Sequence, residues 1–185
     1  MQALAIIDMQ RWMFRLPDRA AQLPAVVPAI NRLAAAFSAR GQPVFDVGVF
    51  HKADGSTWSR LMRKHDYACM IEGTADAEPV DGLDLPASRR RIRKTANSAF
   101  LGTDFEAQLR ALRVSELVLA GAFIDGCVAL TAADAAQRGF KVCLVDDAIA
   151  YRDERHRDMM MEWLGDMYEL TAITTQAACA ARGAP

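Results

Sequence analysis

The sequence predicts an α/β fold with a six-stranded parallel sheet flanked by helices on both faces, in three Rossmann-like layers. Short apolar runs alternate about six times with longer segments of helical period. These runs lack polar alternation, which is typical of strands that are buried on both faces. The chain has 185 residues, of which 52% are hydrophobic. It is long enough to bury one sizeable core, so we expect a single domain over residues 1–185.

The first half of the chain contains three of the predicted strands. The helix between the first two has Pro24 and Pro28 near its start and Gly41 just past its end, as helix boundaries prefer. Segment 50–88 is rich in Gly, Asp, Pro and Ser and has no sustained period. It predicts a long functional loop with room for one helical turn near SRLMRK. The strands are 3–7 (ALAII), 43–49 (PVFDVGV) and 91–94 (RIRK), and the helix covers 24–40.

The second half continues the alternation of strands and helices. In TDFEAQLRALR, Thr103 followed three residues later by Glu106 is a capping-box signature before an amphipathic helix. A later helix is closed by Gly139, and the Met-rich stretch MMMEWL in the next one is interpreted as core filler rather than a ligand set. The remaining elements are strands 116–121, 141–146 and 170–174 and helices 127–138 and 153–166.

Composition and charge exclude several classes of partner. The formal net charge is -1, which predicts attraction neither to nucleic acid nor to an anionic membrane. The basic run RRRIRK (89–94) is a local exception, but it lacks the interleaved aromatic residues of a nucleic-acid site. No apolar run approaches the roughly 20 residues that a membrane helix needs. The N-terminal segment reaches the charged Asp8 too early for a signal peptide, so we expect a cytoplasmic protein.

The cysteines and glycines argue against the common cofactor sites. Cys69, Cys127, Cys143 and Cys179 lie far apart without a C-x-x-C pair, so neither structural zinc nor a thioredoxin-type motif is indicated. A free cysteine is usually a small buried hydrophobe, and Cys143 in KVCLVD fits that interpretation. GAFIDGC lacks the G-x-G-x-x-G spacing of a dinucleotide site, and we expect no cofactor.

Three reactive side chains lie at the ends of predicted strands. Asp8 ends the first strand, Lys94 ends the third, and Cys127 follows the fourth at the head of a helix. Taken singly they are compatible with a cap or surface carboxylate, a solvated cation and a packed thiol. The carboxyl ends of parallel strands meet at one edge of the sheet, where such proteins place their chemistry.

Together these residues suit a cysteine nucleophile. The thiolate is the reactive form, and a helix N-terminus and a nearby Lys94 would lower the pKa of the Cys127 thiol. A carboxylate at Asp8 could take the thiol proton and later return it. The pattern therefore favours nucleophilic catalysis over packing.

The sequence resembles the isochorismatase-like cysteine hydrolases. The likeness runs in order through IIDMQ, RKTANSAF, GAFIDGCVALTAADAAQRGF, VCLVDDAIA and AITT, which covers nearly the whole chain. The third block fits the family pattern G-x-x-T-D-x-C-V-x-x-T-A-x-x-A-x-x-x-G except at Ile124, where Thr is usual.

The resemblance implies a mechanism with assigned roles. Asp8 would be the general base, Lys94 its electrostatic partner and Cys127 the nucleophile that forms a thioester. A cis peptide is implied at Ala122–Phe123, with the backbone N–H groups of Phe123 and Cys127 as the oxyanion hole. The substrate would be a small amide or a carbamoyl or ureido compound, and the protein a homo-oligomer, either dimer or tetramer.

Two features narrow the choice within that family. Members that split the vinyl ether of isochorismate usually lack the cysteine, so Cys127 favours hydrolysis of a C–N bond. Nicotinamidases carry a metal site spelled D-x-H-x-x-x-H after the second strand, and the matching positions here are Val49, His51 and Gly55. One imidazole does not hold zinc, so we expect no metal, and His51 is interpreted as a pocket or hydrogen-bonding residue.

The expected substrate pocket is apolar and aromatic. Phe14, Trp58 and Phe123 are its predicted wall, although packing would also explain Phe14 and Trp58. Arg60 is a candidate for binding a substrate carboxylate. The last Met-rich helix could form an oligomer interface, with core packing as the alternative.

Two other classes of protein stay open at this point. One is a small-molecule-binding protein of the same fold with an idle triad, against which the three intact positions argue. The other is a thiol redox sensor built on Cys127, which would need a resolving cysteine nearby. The nearest in sequence, Cys143, is separated from Cys127 by a whole helix.

Overall fold

The computed structural model describes residues 1–180, and residues 181–185 of the predicted domain lie outside that range. It confirms the predicted fold class, since the six strands form one sheet in which every neighbouring pair is parallel. The strands are β1 (Gln2–Ile7), β2 (Val44–Val49), β3 (Arg90–Lys94), β4 (Glu116–Ala122), β5 (Lys141–Ala150) and β6 (Thr171–Ile173). Their order in the sheet is β3-β2-β1-β4-β5-β6.

Seven α-helices connect or follow the strands in the described residues. They are α1 (Pro17–Ala20), α2 (Leu23–Ala39), α3 (Arg60–His65), α4 (Phe105–Ala111), α5 (Ala129–Gln137), α6 (Glu154–Tyr168) and α7 (Thr175–Ala180). The sequence prediction contained α2 to α6 in the correct order, with α3 as the single helical turn in the long loop. It lacked α1 and α7, which are too short to show a helical period.

The helices cover both faces of the sheet and give three layers. One hydrophobic cluster joins α2 and α7 to side chains such as Leu4 and Ile6 of β1. The other joins α4, α5 and α6 to the alternate side chains Ala5 and Ile7. Successive side chains of a strand point to opposite faces, so a continuous apolar run fills both clusters.

The long loop over residues 50–88 folds back across the carboxyl ends of the strands. Backbone contacts hold it there, because the Val80 N–H donates to Met9 O and the Arg11 N–H donates to Glu78 O; within the loop, the His51 N–H donates to Met70 O. Further along, Gln10 pairs with Pro79 in an isolated antiparallel bridge. The predicted loop is therefore confirmed as irregular chain, and it is fixed to the end of β1.

Two local predictions were wrong. The hydroxyl of Thr103 does accept a hydrogen bond from the Phe105 N–H, but the Glu106 carboxylate binds Arg110 and Arg138 instead of completing a capping box. The Met-rich stretch of α6 is not mainly core, because Leu164 is the one fully buried residue of that helix. Helix α6 lies at the outer surface of its layer, so most of its apolar side chains are partly or largely exposed.

Among residues 1–180, no helix has both the length and the apolar character that crossing a membrane would require.

Candidate active site

The strand order brings the three predicted residues to one place. The chain runs from central β1 outward to β2 and β3, and then crosses to β4 on the other side of β1. In such sheets the crevice at the carboxyl ends, beside the strand where the order reverses, is the usual binding site. Asp8 follows β1, Lys94 is the last residue of β3, and Cys127 follows β4.

Asp8 and Lys94 form an ion pair inside the protein. Lys94 Nζ lies 2.8 Å from Asp8 Oδ2, and both side chains are fully buried. The ammonium group also donates to Ala96 O at 2.9 Å. A buried charge is tolerated only when it is paired, so Lys94 is neither a solvated cation nor a member of a surface basic patch.

One oxygen of the Asp8 carboxylate is bound to Lys94, and the other has no hydrogen-bond partner among residues 1–180. Its backbone has a left-handed φ of 50°, and its N–H donates to Val47 O at 2.8 Å. Oδ2 accepts from Lys94, whereas Oδ1 is buried and accepts no hydrogen bond from any described residue. Burial raises the pKa of Asp8, and the charge of Lys94 and the Cys127 thiol only partly oppose that effect. The group is therefore a stronger base than an exposed aspartate.

Cys127 lies against this pair, and its protonation differs from the prediction. Burial raises the pKa of the Cys127 thiol, the Asp8 charge raises it further, and Lys94 lowers it. The expectation that a helix N-terminus and Lys94 lower the pKa of the Cys127 thiol was wrong, because burial and the neighbouring Asp8 carboxylate act more strongly in the opposite direction. These effects favour the protonated thiol, and the Cys127 sulfur lies 3.8 Å from Asn97 Oδ1.

The segment between β4 and Cys127 has a specific backbone shape. The Ala122–Phe123 peptide is cis, as the resemblance implied. The N–H groups of Gly126 and Val128 both donate to Phe123 O, which closes the segment into one wide turn. The buried carboxylate of Asp125 accepts from the backbone N–H and Nε of Arg152, just beyond β5. This contact holds the turn against the neighbouring strand.

Gly121 allows β4 to approach β1 at this point. It pairs with Ile7 and has a φ of +113°, a region that residues with a Cβ rarely adopt. A Cβ built at Gly121 would overlap the Ile7 carbonyl oxygen and lie 2.6 Å from the Ile7 nitrogen. The glycine thus lets the nucleophile segment begin directly beside the residue that precedes Asp8.

Gln10 is a structural residue that the sequence analysis did not single out. Its side chain is buried, and its Nε2 donates to Val49 O and to Ala77 O. Its Oε1 accepts from the Val49 N–H at 2.8 Å. The amide therefore ties the ends of β1 and β2 to the long loop. A polar residue closely following the buried run in IIDMQ was the available signal.

A cavity of about 550 Å³ opens onto Cys127. Of the predicted wall residues, Phe123 lines it. Phe14 is buried behind Phe123, with ring centroids 5.5 Å apart. Trp58 donates to Lys52 O and is also outside the cavity wall, so a substrate role for Phe14 and Trp58 stays a prediction. Residues that sequence reasoning missed supply much of the wall: Trp12, Met13, Leu61, Tyr67, Cys69, Met70, Leu130 and Trp163.

His51 lines the same cavity as a neutral imidazole. Its Nδ1 lies 2.9 Å from Thr57 O, and a carbonyl oxygen only accepts, so Nδ1 carries the proton. Burial lowers the pKa of His51, and Lys94 lowers it further against the effect of that hydrogen bond. In the part of the chain that the structure describes, no three His, Cys, Asp or Glu side chains are grouped to hold a metal ion.

The other cysteines differ in their position relative to Cys127. Cys143 belongs to the hydrophobic cluster on the opposite face of the sheet, which argues against its acting as a resolving thiol. Cys69 is buried and lines the same cavity as Cys127. All four cysteines are free thiols in this structure.

Comparison with known proteins gives one consistent result. A family model of the isochorismatase domain matches residues 2–177. The uncharacterised isochorismatase family protein PncA of Bacillus subtilis is 44% identical over 107 residues, a match that spans 53% of this chain and 56% of that protein. Maleamate amidohydrolase of Pseudomonas putida is 30% identical over 166 residues, 84% of this chain and 74% of that protein.

A solved structure has the same architecture over the full length. The N-carbamoylsarcosine amidase from Thermoplasma acidophilum superposes with a TM-score of 0.81 at 25% sequence identity, and the match covers 99% of both chains.

Proposed function

This chain belongs to the isochorismatase family of hydrolases, and we propose that it hydrolyses a C–N bond of a small amide or of a carbamoyl or ureido compound. The observation that carries the proposal is the buried Asp8–Lys94 pair beside the thiol of Cys127, which lines the cavity. Two similar proteins, a maleamate amidohydrolase and an N-carbamoylsarcosine amidase, bear names for C–N bond hydrolysis and support the reaction class.

In the first step, the neutral thiol needs a base at the moment of attack. Asp8 takes the proton from Cys127 as the sulfur bonds to the carbonyl carbon of the substrate. The unoccupied Oδ1 is suited to receive that proton, while Oδ2 stays bound to Lys94. The positive charge of Lys94 opposes the effect of burial and favours the ionised form of Asp8 before the reaction.

The tetrahedral intermediate carries a negative oxygen that must be stabilised. We assign this role to the backbone N–H groups of Phe123 and Cys127, the predicted oxyanion hole. Both residues line the cavity, and the turn between them is held by Asp125 and Arg152. As the C–N bond breaks, the amine or ammonia leaves with the proton that Asp8 returns, and a thioester on Cys127 remains.

The second half of the reaction releases the acid. Asp8 accepts a proton from a water molecule, whose oxygen attacks the thioester carbonyl. The C–S bond breaks, the sulfur regains a proton from Asp8, and the carboxylic or carbamic acid leaves. The same carboxylate therefore acts as base and acid in both halves. This requires that the carboxylate be held in position while one of its oxygens stays free to take and return a proton.

The remaining predictions about binding stay part of this proposal. Phe123 would contact the substrate directly, and Phe14 would set the position of its ring from behind. We also infer a homo-oligomer, either dimer or tetramer, in which the exposed apolar side chains Met159, Trp163 and Met167 of α6 are covered. Light scattering on the purified protein tests the oligomer directly.

The proposed reaction is tested by intact-protein mass spectrometry together with ammonia release, over a panel of small amides and ureido acids. We expect a substrate-dependent mass adduct in the native protein and none in Cys127→Ala. Cys69→Ala is the matched control, because Cys69 is a second buried thiol in the same cavity.

The outcomes separate the proposal from its rivals. Ammonia release that survives Cys127→Ala would contradict the thioester mechanism. Binding of panel compounds without turnover would favour an idle binding protein. A disulfide or sulfenic acid on Cys127 under mild peroxide, with no hydrolysis of any compound, would favour a redox sensor.

A further inference from the structure

We propose that Arg19 binds a carboxylate of the substrate, so that the enzyme prefers an amide or ureido compound that carries a negative charge. This inference rests on the proposed function and adds the charge of the substrate. It also replaces the predicted role of Arg60, which is exposed and lies outside the cavity wall.

Arg19 has an unused guanidinium group in the wall of the cavity. Its side chain makes no hydrogen bond and no ion pair with any residue in the range 1–180, and its Nε is buried without a partner. Its charged end lies over the ring of Phe123, with Cζ 5.4 Å from the ring centroid. A buried N–H without an acceptor is unfavourable, so the site is completed by a ligand that accepts hydrogen bonds.

The other cations of the described wall are already engaged. Arg15 lies over the ring of Trp12, with Cζ 3.6 Å from its centroid, and donates to Trp12 O. Arg152 is bound to the carboxylate of Asp125. This leaves the guanidinium group of Arg19 as the group best placed to bind an anion.

The charges around the cavity do not cancel. Asp125 is neutralised by Arg152 and lies 3.5 Å from His156 Nδ1, and the buried Asp8–Lys94 pair is neutral as a unit.

Asp18 acts on Arg19 only through space. Burial lowers the pKa of Arg19, and the like charge of Arg15 lowers it further. An anionic ligand would relieve this crowding of positive charge and would be attracted into the cavity.

The position of Arg19 relative to the nucleophile sets the shape of the substrate. Arg19 faces the ring of Phe123, and the backbone of Phe123 begins the turn that ends at Cys127. Arg19 and Cys127 line the same cavity, so a carboxylate held by Arg19 and the carbonyl that Cys127 attacks would belong to one small molecule. Monoamides of short dicarboxylic acids and N-carbamoyl amino acids have this arrangement, and a planar guanidinium group binds a carboxylate in a bidentate manner.

The test compares Arg19→Gln with Arg60→Gln, an exposed arginine of the same face that is outside the wall. Succinamate and N-carbamoylglycine are the anionic substrates, and butyramide and N-methylurea are their uncharged counterparts. We expect Arg19→Gln to lower kcat/KM for the anionic compounds roughly ten- to a hundredfold, the effect of one lost hydrogen bond between charged groups. Most of this loss should appear in KM, the uncharged compounds should change less than about twofold, and Arg19→Lys should recover part of the loss.

A second measurement does not depend on turnover. Iodoacetate and iodoacetamide alkylate Cys127 with similar size but different charge, and the ratio of their rates reports the preference for an anion. We expect that ratio to fall in Arg19→Gln and to stay at the native value in Arg60→Gln. An unchanged ratio, or an equal fall in both variants, would overturn the inference. A fall confined to Arg19→Gln without hydrolysis of any compound would support the anion site and refute the proposed reaction.

Discussion

The triad and the cavity wall lie side by side but are built differently. Asp8 and Lys94 are fully buried and are placed by the pairing of β1 with β2 and of β2 with the edge strand β3. Much of the wall comes from segment 11–19 and from the loop over 50–88, and it includes side chains as exposed as Leu61, at 57%. The proposed catalytic groups are therefore fixed by the sheet, whereas the groups proposed to select a substrate can change without disturbing it.

The largest expected effect follows from removing one partner of the buried pair. Asp8→Asn leaves the Lys94 ammonium group buried and unpaired, so we expect a loss of about 3–5 kcal/mol in the free energy of unfolding. Loss of the general base should lower kcat by roughly 10²–10⁴. Urea denaturation and steady-state kinetics measure the two effects.

Two variants sharpen this result. The double substitution Asp8→Leu with Lys94→Met should recover much of the stability and none of the activity, because apolar groups can replace a buried ion pair. Arg11→Met breaks the exposed Arg11–Asp81 pair and should cost only about 0–1 kcal/mol. An equal loss of stability in Asp8→Asn and Arg11→Met would contradict the expectation that breaking the buried pair costs more free energy of unfolding than breaking an exposed pair.

The next effect concerns the close approach of β4 to β1. Gly121→Ala places a Cβ against the Ile7 backbone at a left-handed φ, so we expect destabilisation by more than about 2 kcal/mol together with loss of activity. Gly139→Ala is the matched control, because Gly139 has a φ of +81° and nothing lies within 4 Å of the position that a Cβ would take there. That variant should cost about 1 kcal/mol and leave kcat intact. Thermal unfolding and kinetics distinguish the two sites.

The pH dependence of activity tests the environment of the general base. Asp8 must be ionised to accept the thiol proton, so activity falls as the pH falls through the pKa of Asp8. Since burial raises that pKa above the ordinary value of 3.8, the acid limb of kcat/KM should lie above pH 3.8. An acid limb at or below pH 3.8 would contradict a buried base.

The same shift affects stability in the opposite direction. The native state holds the Asp8 proton more tightly than the unfolded chain does, so this group favours folding fully below pH 3.8. That contribution is lost as the pH rises through the raised pKa. Asp8→Asn should remove this part of the slope when the free energy of unfolding is measured against pH.

The smallest effect is expected in the wall. Leu61→Ala should change KM for a panel substrate by a few-fold and change the free energy of unfolding by less than about 0.5 kcal/mol, because Leu61 is largely exposed. The neighbouring Met62 also lines the cavity but is only 3% exposed, so Met62→Ala should cost about 2–5 kcal/mol, and the difference between the two variants comes from burial. A Leu61→Ala variant as unstable as Met62→Ala would mean that the wall is part of the core.

The sequence was sufficient for features that a local pattern or a strand end determines. Continuous apolar runs predicted the strands, and the polar residues that end them predicted the meeting of Asp8, Lys94 and Cys127. Short helices such as α1 carry too few residues for a period, so they were missed.

Features that depend on burial in three dimensions could not be predicted in this way. The pKa of the Cys127 thiol is set by desolvation and by Asp8, which is distant in sequence, and a rule about helix ends gave the wrong direction. The free guanidinium group of Arg19 is recognisable only once every nearby carboxylate has been found to be engaged elsewhere or out of hydrogen-bond reach. Nothing in the sequence around Arg19 and Arg60 distinguishes them as anion-binding residues. The structure does, because Arg19 lines the cavity and Arg60 does not.

The order of the strands also determines when this protein can become competent during its synthesis. The central strand β1 is made first. The ion pair of Asp8 can form only after Lys94, 86 residues later, has been made. Cys127 is made later still, after β4, which lies on the other side of β1 from β2. A growing chain thus carries Asp8 without its counter-ion until three strands exist. Pairing between residues so distant in sequence slows folding, and it also means that no nascent fragment lacking β4 can contain the assembled triad.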